Sequence, residues 1–253
     1  MNFPPQHRLK KQGRHSVPNQ GVPPVSRWLL EWFVRYSDFY LRRHFSGIWL
    51  SGNQPQFTAA GPWVVYLNHG SWWDPLICLR ASHRFSWRLP NFAPIDQDAL
   101  KRFGFFKRLG FFGVEKGTAR GAVRFLEQAE ALLENPRTVL WITPQGDFVD
   151  QRQRPVLLKR GLLHLAKRVP EASFVPLAID YFFGRERLPA AGLRFGQTFR
   201  PSSLHELEMA LEETMDQLAA DVLSRNILKS APLAAGRLGT GGVYGFWQRL
   251  KGA

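Results

Sequence analysis

A chain of 253 residues with 44% apolar and 21% charged residues can bury a substantial core, and that composition excludes whole-length disorder, collagen-like repetition and a polytopic membrane protein. Cys78 is the only cysteine, so neither an internal disulfide nor a cysteine-based zinc site can form, and a reducing compartment or indifference to redox is the natural reading. The excess of 34 Lys and Arg over 20 Asp and Glu gives a net charge of +14 and implies an anionic partner; 9 Trp and 20 Phe favour a membrane surface over nucleic acid, because rings and cations both partition to headgroups.

Residues 1–24 are rich in Pro, Gln and basic residues without periodicity, which predicts a disordered cationic tail. Residues 25–47 read as an amphipathic, membrane-associated helix: Trp28, Trp32 and Phe39 alternate with Arg27, Arg35, Arg42 and Arg43, and Ser26 stands at the N-cap position. Its apolar residues nearly encircle it, so it is either clamped against the domain or laid on a bilayer, or both by different faces. No apolar run reaches the roughly 20 residues that span a bilayer, and the N-terminal cations are not followed by the apolar stretch of an export signal.

Residues 48–228 form the expected core domain. A strand is predicted over 62–69, then a helix opening at Asp74-Pro75, a helix at 97–103, a strand at 111–115, a helix at 119–134, a strand at 138–142, a helix at 158–168, strands at 173–180 and 192–199, and a helix at 203–226. Strands alternating with helices predict a single α/β domain, with a mixed and mostly parallel sheet flanked by helices. Residues 229–253 are Ala- and Gly-rich and end in an aromatic and basic segment, which predicts a flexible tail with a second interfacial contact.

The loop after the first core strand reads Asn68-His69-Gly70-Ser71-Trp72-Trp73-Asp74, and of the 7 histidines only His69 has an Asp five residues on. A histidine is the side chain poised for general-base work near neutral pH, and an Asp that holds one ring nitrogen as N–H leaves the other free to take a proton. The bland alternative is that Asp74 merely caps a helix. Basic residues cluster at Arg80, Arg84 and Arg88, at Lys101, Arg102, Lys107 and Arg108, and at Lys116, Arg120 and Arg124; they form a solvated face or a platform for anionic headgroups.

This loop resembles the first block, NHxSxxD, of the glycerolipid and lysophospholipid acyltransferases, with Asn68, His69, Ser71 and Asp74 at every specified position. Further blocks follow in order over about 45–200. Gly110 to Lys116 resembles the second block, with Lys116 where an Arg is usual. Thr143-Pro144-Gln145-Gly146-Asp147-Phe148 is similar to the third block, FPEGTR, keeping Pro144 and Gly146 but carrying Gln145 for the acid and Phe148 for the Arg. Lys159 and Gly161 resemble the helix start that follows, and Phe174 to Ile179 the short fourth block.

The resemblance implies transfer of a fatty acyl group from acyl-coenzyme A or acyl carrier protein, as co-substrate, to a hydroxyl of a lipid acceptor. It implies His69 as general base, Asp74 as its orienter, and neither a resident cofactor nor a metal. Asn68, Ser71, Lys116, Pro144, Gln145, Gly146, Arg152, Arg154 and Lys159 are the expected substrate-binding residues, with loop amides near Gly70 and Gly146 as oxyanion donors. The altered third block leaves three readings open. Lys116, Arg152, Arg154 or Lys159 meets an acceptor phosphate from a shifted register; the acceptor is a neutral or sugar hydroxyl; or transfer has been lost and a basic membrane-binding protein keeps the fold. The expected setting is the cytoplasmic face of a membrane, with an anionic lipid surface as partner, acyl carrier protein as a second candidate partner and nucleic acid excluded.

Overall fold

The computed structural model describes residues 22–58 and 61–239. Most of the expected basic tail, and all of the expected C-terminal interfacial contact around Trp247, lie outside the described residues. In chain order the elements are α1 (Arg27–His44), β1 (Gly47–Ser51), β2 (Trp63–Leu67), α2 (Asp74–Phe85), β3 (Asn91–Asp96), α3 (Gln97–Arg102), a 3-10 helix (Gly104–Leu109), β4 (Phe111–Val114), α4 (Ala119–Leu133), β5 (Val139–Ile142), α5 (Gly161–Arg168), β6 (Ser173–Phe182), β7 (Ala190–Phe195), α6 (Leu204–Leu223), a second 3-10 helix (Asn226–Lys229) and β8 (Ala234–Ala235). The strands make one sheet in the order β4-β3-β5-β2-β6-β7-β1-β8. Only β6 with β7 and β1 with β8 pair antiparallel, so the fold is the α/β architecture with a mixed, mostly parallel sheet that the alternation predicts.

The period of two along the strands sorts the core into two layers. On β2, Val64 and Tyr66 point into a cluster with Leu126, Leu133, Leu162, Leu165, Leu207 and Leu211 of α4, α5 and α6. Val65 and Leu67 point the other way, to Leu41 of α1 and to Ile77 and Ala81 of α2. Each such side chain contributes about 1.5–3 kcal/mol by leaving water, which makes β2 and its neighbours a stiff platform for whatever lies beyond their C-terminal ends.

Three strands lie where none was expected, and each has a reason. β3 contains Pro94, a residue that argues against an interior strand because it lacks a backbone donor. β3 pairs with β5 only at Asn91 and Phe92 and with β4 from Ala93 onward; Ala93 N–H bonds toward β4, to Gly110 O. Position 94 therefore faces the side on which β5 has already parted, and its missing N–H costs no ladder bond. β1 begins at Gly47, directly after α1, so its start falls within the helix expected over 25–47, and β8 is only two residues long. β8, with Gly236 N–H on Ser46 O and Arg237 N–H on Phe45 O, both at 3.1 Å, ties down a segment expected to be flexible. β7 ends at Phe195 rather than 199, with Phe199 making an isolated bridge to Phe174. α5 begins at Gly161 rather than 158; the segment before it is bound to α6 and the third-block turn, with the N–H groups of Val156 and Leu158 on Glu212 and Glu208 and that of Lys159 on Pro144 O.

α1 is clamped and exposed at once. Val34, Ser37 and Leu41 are buried, and Ser26, at the N-cap position, makes no side-chain cap; its N–H instead donates to Arg108 O of the 3-10 helix at 2.8 Å. On the outer side Trp28 is 74% exposed, and Trp32, Tyr36 and Phe39 are exposed with it. Among the described residues no helix is long and apolar enough to cross a membrane.

Candidate active site

The C-terminal ends of β2, β5 and β6, adjacent in the sheet, carry the first-block loop, the third-block turn and the end of a long strand. Just past β2, the buried Asn68 prolongs the ladder with its side chain, donating from Nδ2 to Ile179 O at 2.9 Å and accepting from Ile179 N–H at 2.8 Å. Both ends of its amide are thus committed to β6. This pins the next residue.

His69 is held by its main chain and its ring. Its N–H donates to Gln145 Oε1 at 2.7 Å and its carbonyl accepts from Val149 N–H at 2.8 Å. Nδ1 lies 2.8 Å from Asp74 Oδ2, and the ring packs against Phe148 with centroids 4.3 Å apart. Opposite a carboxylate, Nδ1 carries the proton and Nε2 presents its lone pair. Nε2 has no hydrogen-bond partner among the described residues, and the side chain is 16% exposed, so the basic nitrogen faces outward.

Asp74 is the first residue of α2, with Trp73 at the N-cap and no side-chain cap bond; its carboxylate turns back into the loop instead of capping the helix. It is only 1% exposed, and an ionised group so buried requires donors. Oδ2 accepts from His69 and from Ser71 N–H at 3.1 Å, and Oδ1 accepts from the Tyr181 hydroxyl at 2.6 Å. Burial, followed by the Asp74 charge, pushes the Cys78 thiol well above its ordinary range.

The third-block segment closes the other wall. Thr143 to Gly146 form a β-turn, with Gly146 N–H on Thr143 O at 3.1 Å. Gly146 has φ +79°, a left-handed conformation that demands glycine, and the Lys159 side chain lies over it. The Gly146 amide is therefore used within the turn, whereas Gly70 N–H has no acceptor among the described residues. Gln151 then bonds the end of β6 through Tyr181 N–H, Tyr181 O and the Asp180 carboxylate. Burial holds the Asp180 carboxyl above the usual carboxylate range, opposed by Arg152 and the Tyr181 amide.

The structure thus brings together His69, Asp74, Ser71, Asn68, Pro144, Gln145 and Gly146, with Lys159 against Gly146 and ion-paired to Asp147 at 3.3 Å. Arg152 is exposed at the rim. The Arg154 guanidinium is committed to Asp216, at 2.5 and 3.0 Å, and to the carbonyls of Gln151 and Gln153; it fastens the loop to α6. Lys116 is apart from the group: it lies past β4, two strands beyond β5 and β2's shared edge, in a polar cleft of about 550 Å³ with Asp96, Lys101, Glu115 and Arg124. The sequence reading missed Tyr181 and Gln151, whose partners lie 107 and about 30 residues away; no local spacing signals either.

The fold is thus an α/β protein with a mostly parallel sheet, whose C-terminal edge holds an imidazole against a buried carboxylate, an arrangement chemically able to take up a proton. The Acyltransferase family model matches residues 51–180, just over half of the chain, from the last residue of β1 to Asp180 on β6, and the chain belongs to the acyltransferase family. A solved structure, the 1-acyl-sn-glycerophosphate (LPA) acyltransferase PlsC from Thermotoga maritima, shares the fold with a TM-score of 0.53 over 80% of this chain and 80% of that chain, at 18% sequence identity. A comparison with curated proteins found no match.

Proposed function

We propose that this acyltransferase moves a fatty acyl group from a thioester, acyl-coenzyme A or acyl carrier protein, to a hydroxyl of a lipid acceptor at the cytoplasmic face of a membrane. The observation that carries the reading is the 2.8 Å contact between His69 Nδ1 and the buried Asp74. Nε2 takes the proton from the acceptor hydroxyl as its oxygen attacks the thioester carbonyl. Asp74 steadies the imidazolium, and the Gly70 N–H and the free Gln145 Nε2 are the candidate donors to the oxyanion. Collapse expels the thiolate, which receives the proton from His69 Nε2 and leaves as a thiol, so no acyl-enzyme forms.

Three features support a neutral hydroxyl as acceptor. Phe148, 61% exposed, stands against the His69 ring where the family pattern has an Arg; Gln145 supports His69 instead of offering an acid; and Arg154 is committed to Asp216. A phosphate placed next to Phe148 forgoes a charge-assisted hydrogen bond of about 1.5–3 kcal/mol. The exposed aromatic stripe of α1 supports the membrane setting, since it leads through the stacked rings of Trp32, Tyr36 and Tyr40 to Trp72 of the site loop.

The test is an acyl-transfer assay on vesicles with lysophosphatidic acid and neutral lipid alcohols in competition. The neutral alcohol is the expected winner, and His69→Ala should lose about 100-fold or more of the turnover while remaining folded. Preference for lysophosphatidic acid that vanishes in Arg152→Ala returns the acceptor to the phosphate class. Near-normal turnover in His69→Ala removes the base.

A further inference from the structure

Asp74 receives one donor that the proton transfer itself does not require. The Tyr181 hydroxyl donates to Oδ1, the carboxylate oxygen that His69 leaves free. The tyrosine is fixed from both sides. Its N–H donates to Gln151 Oε1 at 3.0 Å and its carbonyl accepts from Gln151 Nε2 at 3.1 Å, and its ring packs on Phe45, with centroids 6.0 Å apart. Phe45 is itself buried at the end of α1, edge-on to Trp73 at 4.9 Å.

We propose that Tyr181 is a positioning residue for the general base: its hydroxyl fixes the Asp74 carboxylate and weakens that carboxylate's pull on the protonated imidazole, so that His69 releases its proton more readily. This rests on the reading of His69 as the base. A carboxylate that shares its charge with an added neutral donor is a weaker acceptor toward the cation on its other oxygen. Tyr181 keeps its proton for this role, because burial and the Asp74 charge both push the phenol far above its ordinary range.

The other titratable groups around the pair do not substitute for it. On α2, Cys78 is neutral, held so by burial and by Asp74. From α1, His44 meets Trp73 and bonds Tyr40 O. On β6, Asp180 is tied to Gln151, and in the third-block segment Asp147, Asp150, Arg152 and Lys159 are exposed and paired among themselves. Besides His69 and the Ser71 amide, Tyr181 is the one group bonded to the carboxylate among the described residues.

The test uses the full chain in detergent, with the His69 ring titrated by NMR and acyl transfer measured across pH. Tyr181→Phe keeps the ring and removes the hydroxyl. The His69 midpoint and the acid limb of kcat/KM should both move upward by about one pH unit, the equivalent of one charge-assisted hydrogen bond. In an Asp74→Asn background the same change should move neither. A midpoint unmoved in Tyr181→Phe, or one that moves equally in the Asp74→Asn background, overturns the proposal. So does an activity loss that is uniform over pH with an unmoved midpoint, which would assign Tyr181 to folding alone. Failure of the base reading is seen separately, as turnover in His69→Ala, while the midpoints still report on the Tyr181–Asp74–His69 contact.

Discussion

At the level of single residues, polar groups near the site divide into those that hold it and those free to meet a ligand. Asn68, Gln151 and the Oε1 of Gln145 hold it, bonded to backbone on neighbouring segments, while Gln145 Nε2 is left for a ligand. Asp180 is the costly member of this set. Burial raises its carboxyl above the unfolded value, so the charged form is penalised in the fold: its contribution to stability is most favourable below the unfolded range and declines as pH rises through the folded one. Asp180→Asn keeps an oxygen for Gln151 and removes the charge. The expected outcome is a melting temperature above that of the parent at pH 7, with the gap closing below about pH 4; thermal scans at both pH values check it, and a variant less stable at pH 7 contradicts it. The first-block residues were legible because their chemistry is local: His69 and Asp74 are five positions apart, on one loop. Tyr181 and the structural roles of Gln145 and Arg154 were not, because each depends on a partner brought close only by the sheet or by α6.

Among the elements, α1 shows why an encircling apolar pattern is ambiguous in sequence. One stripe, with Val34 and Leu41, enters the core beneath α2. Another, Trp28, Trp32, Tyr36 and Phe39, follows helical spacing along the outside, and exposed Phe103 and Phe105 lie on the adjoining segment. Phe105 and Phe106 stack edge-on to Phe33, which joins the two parts, and Arg27, Arg35, Lys101, Arg102, Lys107 and Arg108 are exposed beside them. In the membrane setting proposed above, the rings would enter the headgroup boundary and the cations would attract anionic lipid. Because Trp28 and Trp32 contribute little to the core, Trp28→Ala combined with Trp32→Ala should leave the melting temperature nearly unchanged. Affinity for anionic vesicles should fall by about 1–2 kcal/mol per ring, and binding of both proteins should weaken with salt. Vesicle sedimentation at two salt concentrations checks this, and unaltered partitioning of the double variant would assign those rings another role. Three strands were missed for a different reason: β3 is interrupted by Pro94, β1 follows α1 so closely that its first residue falls within the expected helix, and β8 is too short to show a period.

Across the whole molecule, the last described segment closes a circuit that begins at the first helix. β8 covers the outer edge of β1 at Gly47 and Ile48, Leu233 O accepts from Arg80 of α2 at 2.7 Å, and the bonds from Gly236 and Arg237 reach Ser46 and Phe45. A Cβ on Gly236 would collide with the backbone carbonyl of Phe45. The Phe45 ring in turn touches Trp73 and Tyr181, so the end of α1, the edge of the sheet and the support of Asp74 meet at one residue. An uncovered β1 would present unpaired N–H and C=O groups to other chains. Gly236→Val is therefore expected to cost about 3 kcal/mol, through the lost backbone bonds and the displaced Phe45 carbonyl, and to lower the melting temperature by roughly 6–12 °C. Light scattering on warming should begin earlier than in the parent. Acyl transfer should fall further than the unfolded fraction explains, because Phe45 backs Tyr181. A variant that melts and scatters like the parent would show that β8 is dispensable to the sheet, and one that loses stability while the folded fraction keeps full activity would break the link between this edge and the site.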